Sequence, residues 1–239
     1  MELLIEKIMS NVLITGASGF IGANLVRNLI NTKDQIHILI RKQSNLWRLN
    51  NIISECNVHF VDISKIDEVR NMISKVKPEI VYHCATFGVY SNQKDASKME
   101  QTNVTGTLNV LKCSEFHKVK KFLYSASSSC YGIPKNYPTS EDEQISPQYP
   151  YALTKLMGEQ LVMHWAKVYK FNVNSIRIFN AYGPFQDFDN KFQGMLSIYL
   201  SQIFRNSQVE VTGSLERSRD FIFIDDIIRV ITNKKILSA

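Results

Sequence analysis

The sequence predicts an α/β fold organised around a doubly wound parallel sheet. Three observations carry that expectation. Short apolar runs of strand length alternate with stretches whose apolar residues recur at helical spacing, from residue 11 to residue 126. The runs are close to continuously apolar, as strands covered on both faces require. The first run is followed at once by Gly16, Gly19 and Gly22, which open the first helical stretch. That is the order found where a parallel strand turns into its crossover helix.

Each element follows from its own residues. Residues 11–15 form the first strand through Val12, Leu13 and Ile14. Residues 20–30 place Phe20, Ile21, Leu25, Leu29 and Ile30 at helical spacing. Further strands are expected at 35–40, 58–62, 80–84 and 119–126, with helices at 45–54, 65–76 and 96–116 between them. Segment 133–150 carries Pro134, Pro138, Pro147 and Pro150. It reads as a loop, because proline fixes φ and removes a backbone donor. A long helix is expected at 150–169 and a strand at 172–179. The remainder is mixed: a helix at 192–204, short strands at 209–211 and 220–223, and a last helix at 225–232.

Composition narrows the functional classes. The 239 residues are 44% hydrophobic and 21% charged, with ten glycines and six prolines, which excludes a disordered or collagen-like chain. That length allows one large domain, or one domain with an appendage. The net charge of +6 comes from 28 basic and 22 acidic residues, the basic ones scattered as short pairs such as Arg41-Lys42, Lys120-Lys121 and Lys234-Lys235. Without a basic run or zinc-finger spacing, nucleic acid is not an expected partner. Cys56, Cys84, Cys113 and Cys130 form no CxxC pair, so no metal site is expected and the thiols read as reduced. No stretch of 18 apolar residues occurs, and residues 1–10 are too acidic, and too short in their apolar run, for a signal peptide. No membrane partner is expected, and a cytoplasmic location is.

Thr15-Gly16-Ala17-Ser18-Gly19-Phe20-Ile21-Gly22 reads as a phosphate cradle. Gly16 and Gly19 permit a tight turn and close backbone approach to a diphosphate, and Gly22 lets the helix pack against the strand. Phe20 and Ile21 lie at a helix N-terminus, which favours negative charge. A glycine triplet alone is weak; strand, glycines and amphipathic helix in this order are specific. A nicotinamide dinucleotide is the expected ligand. An acid at the end of the second strand would bond the ribose 2′-hydroxyl, but this chain has Arg41-Lys42. That favours NADP over NAD, with two solvated cations beside bound NAD as the alternative. Asp62 and Ile63, closing the third strand, are placed to meet the adenine.

Tyr151 and Lys155 stand four apart in a helical stretch and share a face. A free tyrosine has a pKa of about 10 and is a poor base at neutral pH. A neighbouring ammonium and an oxidised nicotinamide would favour the phenolate and lower that value. Tyr151 could then exchange a hydroxyl proton while hydride passes to or from the cofactor. A surface aromatic–cation pair is the plain alternative. Ser125, Ser127, Ser128 and Ser129 cluster where the fifth strand ends, at the crevice where such sheets bind ligands. Spacing does not choose among them, and a turn-capping hydroxyl is the alternative for each.

Taken together, these motifs resemble the extended short-chain dehydrogenase/reductase family, in its nucleotide-sugar epimerase/dehydratase branch of UDP-glucose 4-epimerase-like enzymes. The resemblance runs from Asn11 to about Val230. It includes Tyr82-His83-Cys84-Ala85, Asn103-Val104-Thr105-Gly106-Thr107, Ser127 to Gly132, Arg177 to Pro184 and Arg219 to Asp226. It implies a Rossmann domain over residues 1–179 that includes the catalytic residues. A partial substrate-binding lobe over 180–239 would be interleaved with it. It implies Ser127 as the catalytic hydroxyl and Tyr151 as the acid/base. Lys155 would hold the ribose hydroxyls and lower the tyrosine pKa, and Asn103 would support the active-site helix and its proton relay. Ala85 and Phe179 fall where the family lines the nicotinamide pocket. Asn180 and Arg219 match residues that contact the substrate diphosphate, a task suited to a planar guanidinium. A salt bridge from Arg219 to Asp220 or Asp225 is the alternative. The implied partner is a nucleotide-diphosphate sugar, and the implied assembly a homodimer through the helices near 96–116 and 151–169.

Two departures bear on the reaction. Family 4,6-dehydratases carry an Asp-Glu pair directly after the catalytic hydroxyl, where this chain has Ser128 and Ser129. Neither is an acid of useful pKa, so dehydration is disfavoured. Arg41 replaces the acid of the usual NAD-bound epimerases and tilts towards an NADPH-dependent 4-keto-sugar reductase. Residues 193–200 and 213–217 look more like the 4-epimerase side and weigh slightly more. The expected function is therefore an NAD(P)-dependent epimerase acting at the sugar C4, with the reductase as alternative. Family members ordinarily continue well past Arg219-Asp220-Phe221, so the C-terminal lobe is expected to be incomplete. A truncated pseudoenzyme or non-catalytic dinucleotide-binding protein is the alternative of another class.

Overall fold

The computed structural model describes residues 9–211 and 213–233. The signal-peptide reading of residues 1–10 and the pair Lys234-Lys235 fall wholly or mostly outside the described residues. Six strands form one parallel sheet: β1 (Asn11–Thr15), β2 (Gln35–Ile40), β3 (Asn57–Phe60), β4 (Ile80–His83), β5 (Lys121–Ser127) and β6 (Val173–Ile178). Their spatial order is β3-β2-β1-β4-β5-β6. The winding direction reverses between β1 and β4, and ligands of such sheets bind outside the carboxyl ends at that switch point.

Alternation along β1 supplies both cores. Val12 and Ile14 face one layer with α1 (Phe20–Leu29) and α7 (Ile224–Ile231); Leu13 faces the other with α2 (Ile66–Val76), α4 (Thr107–Phe116) and α5 (Pro150–Tyr169). The two-sided burial explains the near-continuous apolar runs in the sequence. α5 starts with a proline in its first turn, where the missing N–H costs nothing. No helix of the described residues is long and apolar enough to cross a membrane, and no group of three or more potential metal ligands occurs among them.

Four elements differ from the sequence reading. The helix expected at 45–54 is not formed. The chain there winds through turns, with Leu49 N–H bonded to Leu46 O at 2.7 Å, and ends in a 3₁₀ turn at Ile53–Glu55. Asn45 Oδ1 accepts from Trp47 N–H at 3.1 Å, a local side-chain bond that competes with helix. Leu49 and Ile52 reach the core nonetheless. The long helix at 96–116 is interrupted: α3 (Ala96–Glu100) and α4 flank a π-helical segment, Gln101–Gly106. Residues 209–211 form no strand. Instead Asn180–Tyr182 forms β7, which pairs in parallel with β8 (Phe221–Phe223). Three residues are too few to show a period. This small sheet and α6 (Met195–Phe204) lie beyond the main sheet in sequence, and segment 184–185 ties back to α1 and to the turns at 45–54. Asn24 Nδ2 donates to Pro184 O at 3.2 Å, and Arg48 Nε donates to Phe185 O at 2.8 Å.

Candidate active site

The turn from β1 into α1 meets the end of β4 with no room to spare. Gly16 sits at φ +68°, and a Cβ there would lie 2.6 Å from Ala85 N. A Cβ on Gly22 would lie 2.3 Å from Gly16 O. Gly19 N–H closes the turn onto Gly16 O at 3.0 Å. No side chain caps α1 and no acid occupies its first turn, so the amides at Phe20 and Ile21 face an uncompensated helix N-terminus. This backbone cradle fits a diphosphate. Gly16→Ala is expected to weaken dinucleotide binding at least ~10-fold and to lower the melting temperature, because Ala strains φ and strikes backbone. Titration with dinucleotide, alongside circular dichroism, checks both.

Around the cradle, Arg41 ends β2 exposed, its N–H bonded to Ser44 Oγ at 3.0 Å. Asp62 Oδ1 accepts from Ser64 N–H at 3.0 Å and Ser64 Oγ–H at 2.8 Å. Ile63 is buried, and its backbone oxygen accepts from Asn109 Nδ2 at 2.9 Å. Both residues therefore hold the β3 exit as well as lying where an adenine was expected.

A hydrogen-bond chain runs beneath the crevice. Ala85 N–H donates to Thr15 Oγ1 at 3.2 Å, and Thr15 Oγ1 bonds His83 Nδ1 at 2.7 Å. His83 Nε2 meets Thr107 Oγ1 at 2.9 Å, and Thr107 donates on to Asn103 O at 2.8 Å. The chain is consistent with a proton on Nε2 and a lone pair on Nδ1. Burial, then the Lys155 charge, pushes His83 down to about 3, so the ring stays neutral. It ties β1, β4 and α4 together.

Above it lie the reactive side chains. The β5 exit places Ser127, and α5 places Tyr151 and Lys155 one turn apart. Asn103, in the π-helical segment, is fully buried. Its Oδ1 accepts from Thr86 Oγ1 at 3.0 Å and Phe87 N–H at 2.9 Å; its Nδ2 donates to Phe87 O at 2.8 Å and Thr154 Oγ1 at 3.0 Å. All four bonds of the amide are used, so it joins the loop after β4 to α5 rigidly. Tyr151 is half-buried, and the hydroxyls of Ser127 and Thr86 act on its own.

The expected lowering of the tyrosine pKa is not found. Burial pushes Tyr151 up to about 12, and the nearby hydroxyls of Ser127 and, less, Thr86 only partly offset it. Lys155 is turned elsewhere: its Nζ donates to Ser125 O at 2.6 Å and stands 4.2 Å over the Tyr124 ring. Burial pushes Lys155 itself down to about 7, against a smaller upward pull from Cys84 and Glu159. Ser125 Oγ donates to Cys84 Sγ at 3.3 Å, and burial holds that thiol protonated.

Glu159 was not anticipated, although it lies four residues after Lys155 on the same helix face. It is buried and takes both oxygens to Arg177 Nε at 3.1 Å, while Arg177 Nη1 donates to Tyr131 Oη at 2.8 Å. This pair braces β6 against α5 and the turn after Ser127. Thr15, Thr86, His83 and Thr107 were also missed; residues so distant in sequence leave no local signal.

Phe179 is half-buried, its ring 6.4 Å from that of Tyr131, and Ala85 is half-buried against Gly16. Asn180 is exposed and donates from both N and Nδ2 to Asp220 O, at 3.3 and 2.8 Å, which pins β7 to β8. Arg219 is exposed; its Nη1 donates to Ser218 O at 2.8 Å, and no ion pair with Asp220 or Asp225 forms. The structure thus brings Ser127, Tyr151 and Asn103 together, holds Lys155 on the same helix but turned to Ser125 O, and leaves Asn180 and Arg219 outside.

Comparison with known proteins gives the same picture. UDP-glucose 4-epimerase of Mycolicibacterium smegmatis is 29% identical over 222 residues, covering 90% of this chain and 70% of that protein. The dTDP-4-dehydro-6-deoxyglucose reductase of Escherichia coli is 28% identical over 226 residues, covering 92% and 71%. Among solved structures, UDP-glucuronic acid 4-epimerase from Bacillus cereus, in complex with UDP-glucuronic acid and NAD, is 28% identical with a TM-score of 0.80, covering 95% of this chain and 74% of that one. The chain therefore spans about 70% of the length of these relatives. The NAD dependent epimerase/dehydratase family model matches residues 12–233, from the first strand through the last described helix. With the glycine cradle, the parallel sheet and the Tyr151–Lys155 helix all inside that match, the chain belongs to the NAD dependent epimerase/dehydratase family.

Proposed function

We propose that the chain is an NAD(P)-dependent nucleotide-sugar epimerase acting at the sugar C4, with Tyr151 as acid/base. One observation carries this: Tyr151, its hydroxyl acted on by those of Ser127 and Thr86, stands on the same helix as buried Lys155, at the carboxyl end of the sheet beside the glycine cradle. Dinucleotide binding alone requires no tyrosine so placed. The similarity to two 4-epimerases supports the reaction class.

When bound, the dinucleotide supplies the hydride acceptor and donor. Gly16, Gly19, Phe20, Ile21 and Gly22 hold its diphosphate, Arg41, Asp62 and Ile63 its adenosine half, and Ala85, Phe179 and Lys155 its nicotinamide riboside. Tyr151 takes the proton of the C4 hydroxyl, Ser127 hydrogen-bonds the same oxygen, and Asn103 fixes the helix that carries Tyr151. Asn180 and Arg219 meet the sugar-nucleotide diphosphate; no carboxylate occupies the Arg219 fork. Epimerisation then needs the 4-keto sugar to turn and accept hydride on its other face, with Tyr151 returning the proton. Ser128 and Ser129 supply no carboxylate, which argues against dehydration. The exposed Leu153 and Met157, one turn apart on α5, are offered as part of a homodimer contact.

A panel of UDP-, dTDP-, CDP- and GDP-sugars, run with NAD and with NADP, tests the proposal. The expected result is interconversion of C4 epimers without net cofactor consumption, with NADP accepted at least as well as NAD if Arg41 meets a 2′-phosphate. Stoichiometric NADPH consumption on a 4-keto sugar would establish the reductase instead, the reading favoured by Arg41 and by similarity to the E. coli enzyme. Dinucleotide binding with no turnover on any sugar would sink both.

A further inference from the structure

We propose that Ser129 directs the Ser127 proton and is a positioning residue for the acid/base step. The inference rests on the roles proposed above for Ser127 and Tyr151. A serine hydroxyl has two acceptor sites and one proton to give. Ser129 fills both acceptor sites of Ser127: its backbone N–H reaches Ser127 Oγ at 3.2 Å, and its own Oγ–H reaches the same atom at 2.9 Å. With both sites occupied, Ser127 has only its proton left to give, and Tyr151 is a group on which its hydroxyl acts.

The backbone contact belongs to the turn itself. Ser127 precedes the 3₁₀ turn Ser128–Tyr131, and its side chain accepting from Ser129 N–H is an ordinary cap. Any residue at 129 would supply it. The second contact exists only because residue 129 carries a hydroxyl. It stops Ser127 from turning to accept from Tyr151 or from a sugar hydroxyl, an orientation in which it would stabilise the wrong protonation state. It also polarises the Ser127 O–H, so the bond to a phenolate or a developing C4 oxyanion is strengthened along the chain. Ser129 keeps its own proton throughout.

The experiment compares Ser129→Ala, Ser129→Thr and Ser127→Ala, singly and as the 127/129 double variant, in the full chain. Ser129→Ala is expected to lower kcat about 5- to 20-fold with KM within about 2-fold. The acidic limb of its kcat profile should move to higher pH, because Tyr151 loses part of the donor that favours its ionised form. Ser129→Thr should restore both. In the Ser127→Ala background, Ser129→Ala should have no further effect. A Ser129→Ala variant that loses only thermal stability, or that still slows the Ser127→Ala protein, would overturn the proposal. A readout without turnover separates its failure from that of the epimerase reading. Ultraviolet difference titration of the dinucleotide-loaded protein, with Tyr151→Phe as blank, follows ionisation of Tyr151. Ser129→Ala should raise the pH of that ionisation whichever sugar is the substrate, and an unmoved titration would also overturn it.

Discussion

Tyr151→Phe is expected to reduce turnover by at least about 10³-fold while dinucleotide affinity changes by no more than ~3-fold. The ring stays, so the packing of Tyr151 against its neighbours is kept, and only the hydroxyl on which Ser127 and Thr86 act is lost. Asn103 has all four amide bonds used and Ser127 is proposed as a donor, which leaves that hydroxyl to take up the sugar proton between them. With burial pushing the phenol up to about 12, Tyr151 is neutral at pH 7 in the cofactor-free protein. Wild-type kcat should therefore climb with pH on its acidic side, and the climb should vanish in the variant. Product analysis on a turned-over nucleotide sugar and dinucleotide titration read the two quantities separately. Full turnover by Tyr151→Phe would remove Tyr151 from the reaction.

Lys155→Met should abolish turnover and weaken dinucleotide binding, yet change stability in a direction that depends on pH. Lys155 is 3% exposed, and burial takes it from the usual 10.5 down to about 7. Between those values the unfolded chain holds the proton and the folded protein does not, so wild-type stability rises as pH rises through that interval. Below about pH 7 both states are protonated, and the full cost of burying the ammonium is carried by the fold. Methionine keeps a flexible stem over the Tyr124 ring and removes the charge, at the cost of leaving Ser125 O without its donor. The melting temperature of Lys155→Met relative to wild type should therefore be several degrees more favourable at pH 6 than at pH 10. Thermal denaturation at the two pH values measures this, and a pH-independent difference would show that the lysine is not carried as a buried charge.

The sheet could be read from the sequence because its strands are covered on both faces. Val12, Leu13 and Ile14 leave no ambiguity about burial, and the glycines after them mark where the first helix must begin. The turns at 45–54 misled because Leu46, Leu49 and Ile52 have the spacing of a helix, whereas Asn45 bonds the backbone locally and breaks it. The π-helical segment was invisible for a related reason: apolar spacing reports a face and not the width of a turn. In the site, Tyr151 and Lys155 were legible because they lie one helical turn apart. Their electrostatics were not, since the upward shift of Tyr151 and the downward shift of Lys155 come from burial by β4, β5 and the loop after β4. Thr15, His83 and Thr107 form one chain from three distant stretches, and nothing local in any of them announces it.

The π-helical segment at Gln101–Gly106 also has a genetic consequence. A turn closed by i to i+5 bonds takes in one residue more than an α turn of the same rise. Asn103 reaches Phe87 on one side and Thr154 on the other from inside that widened turn. Losing a single codon within it would let an unbroken α-helix form, at a gain in regularity and with the flanking halves still in register, but without the widened turn that carries Asn103. The amide could not then face the loop after β4 and α5 together. An in-frame deletion that would turn the faces of an ordinary helix by about 100° would here spare the helix and remove only the asparagine's reach.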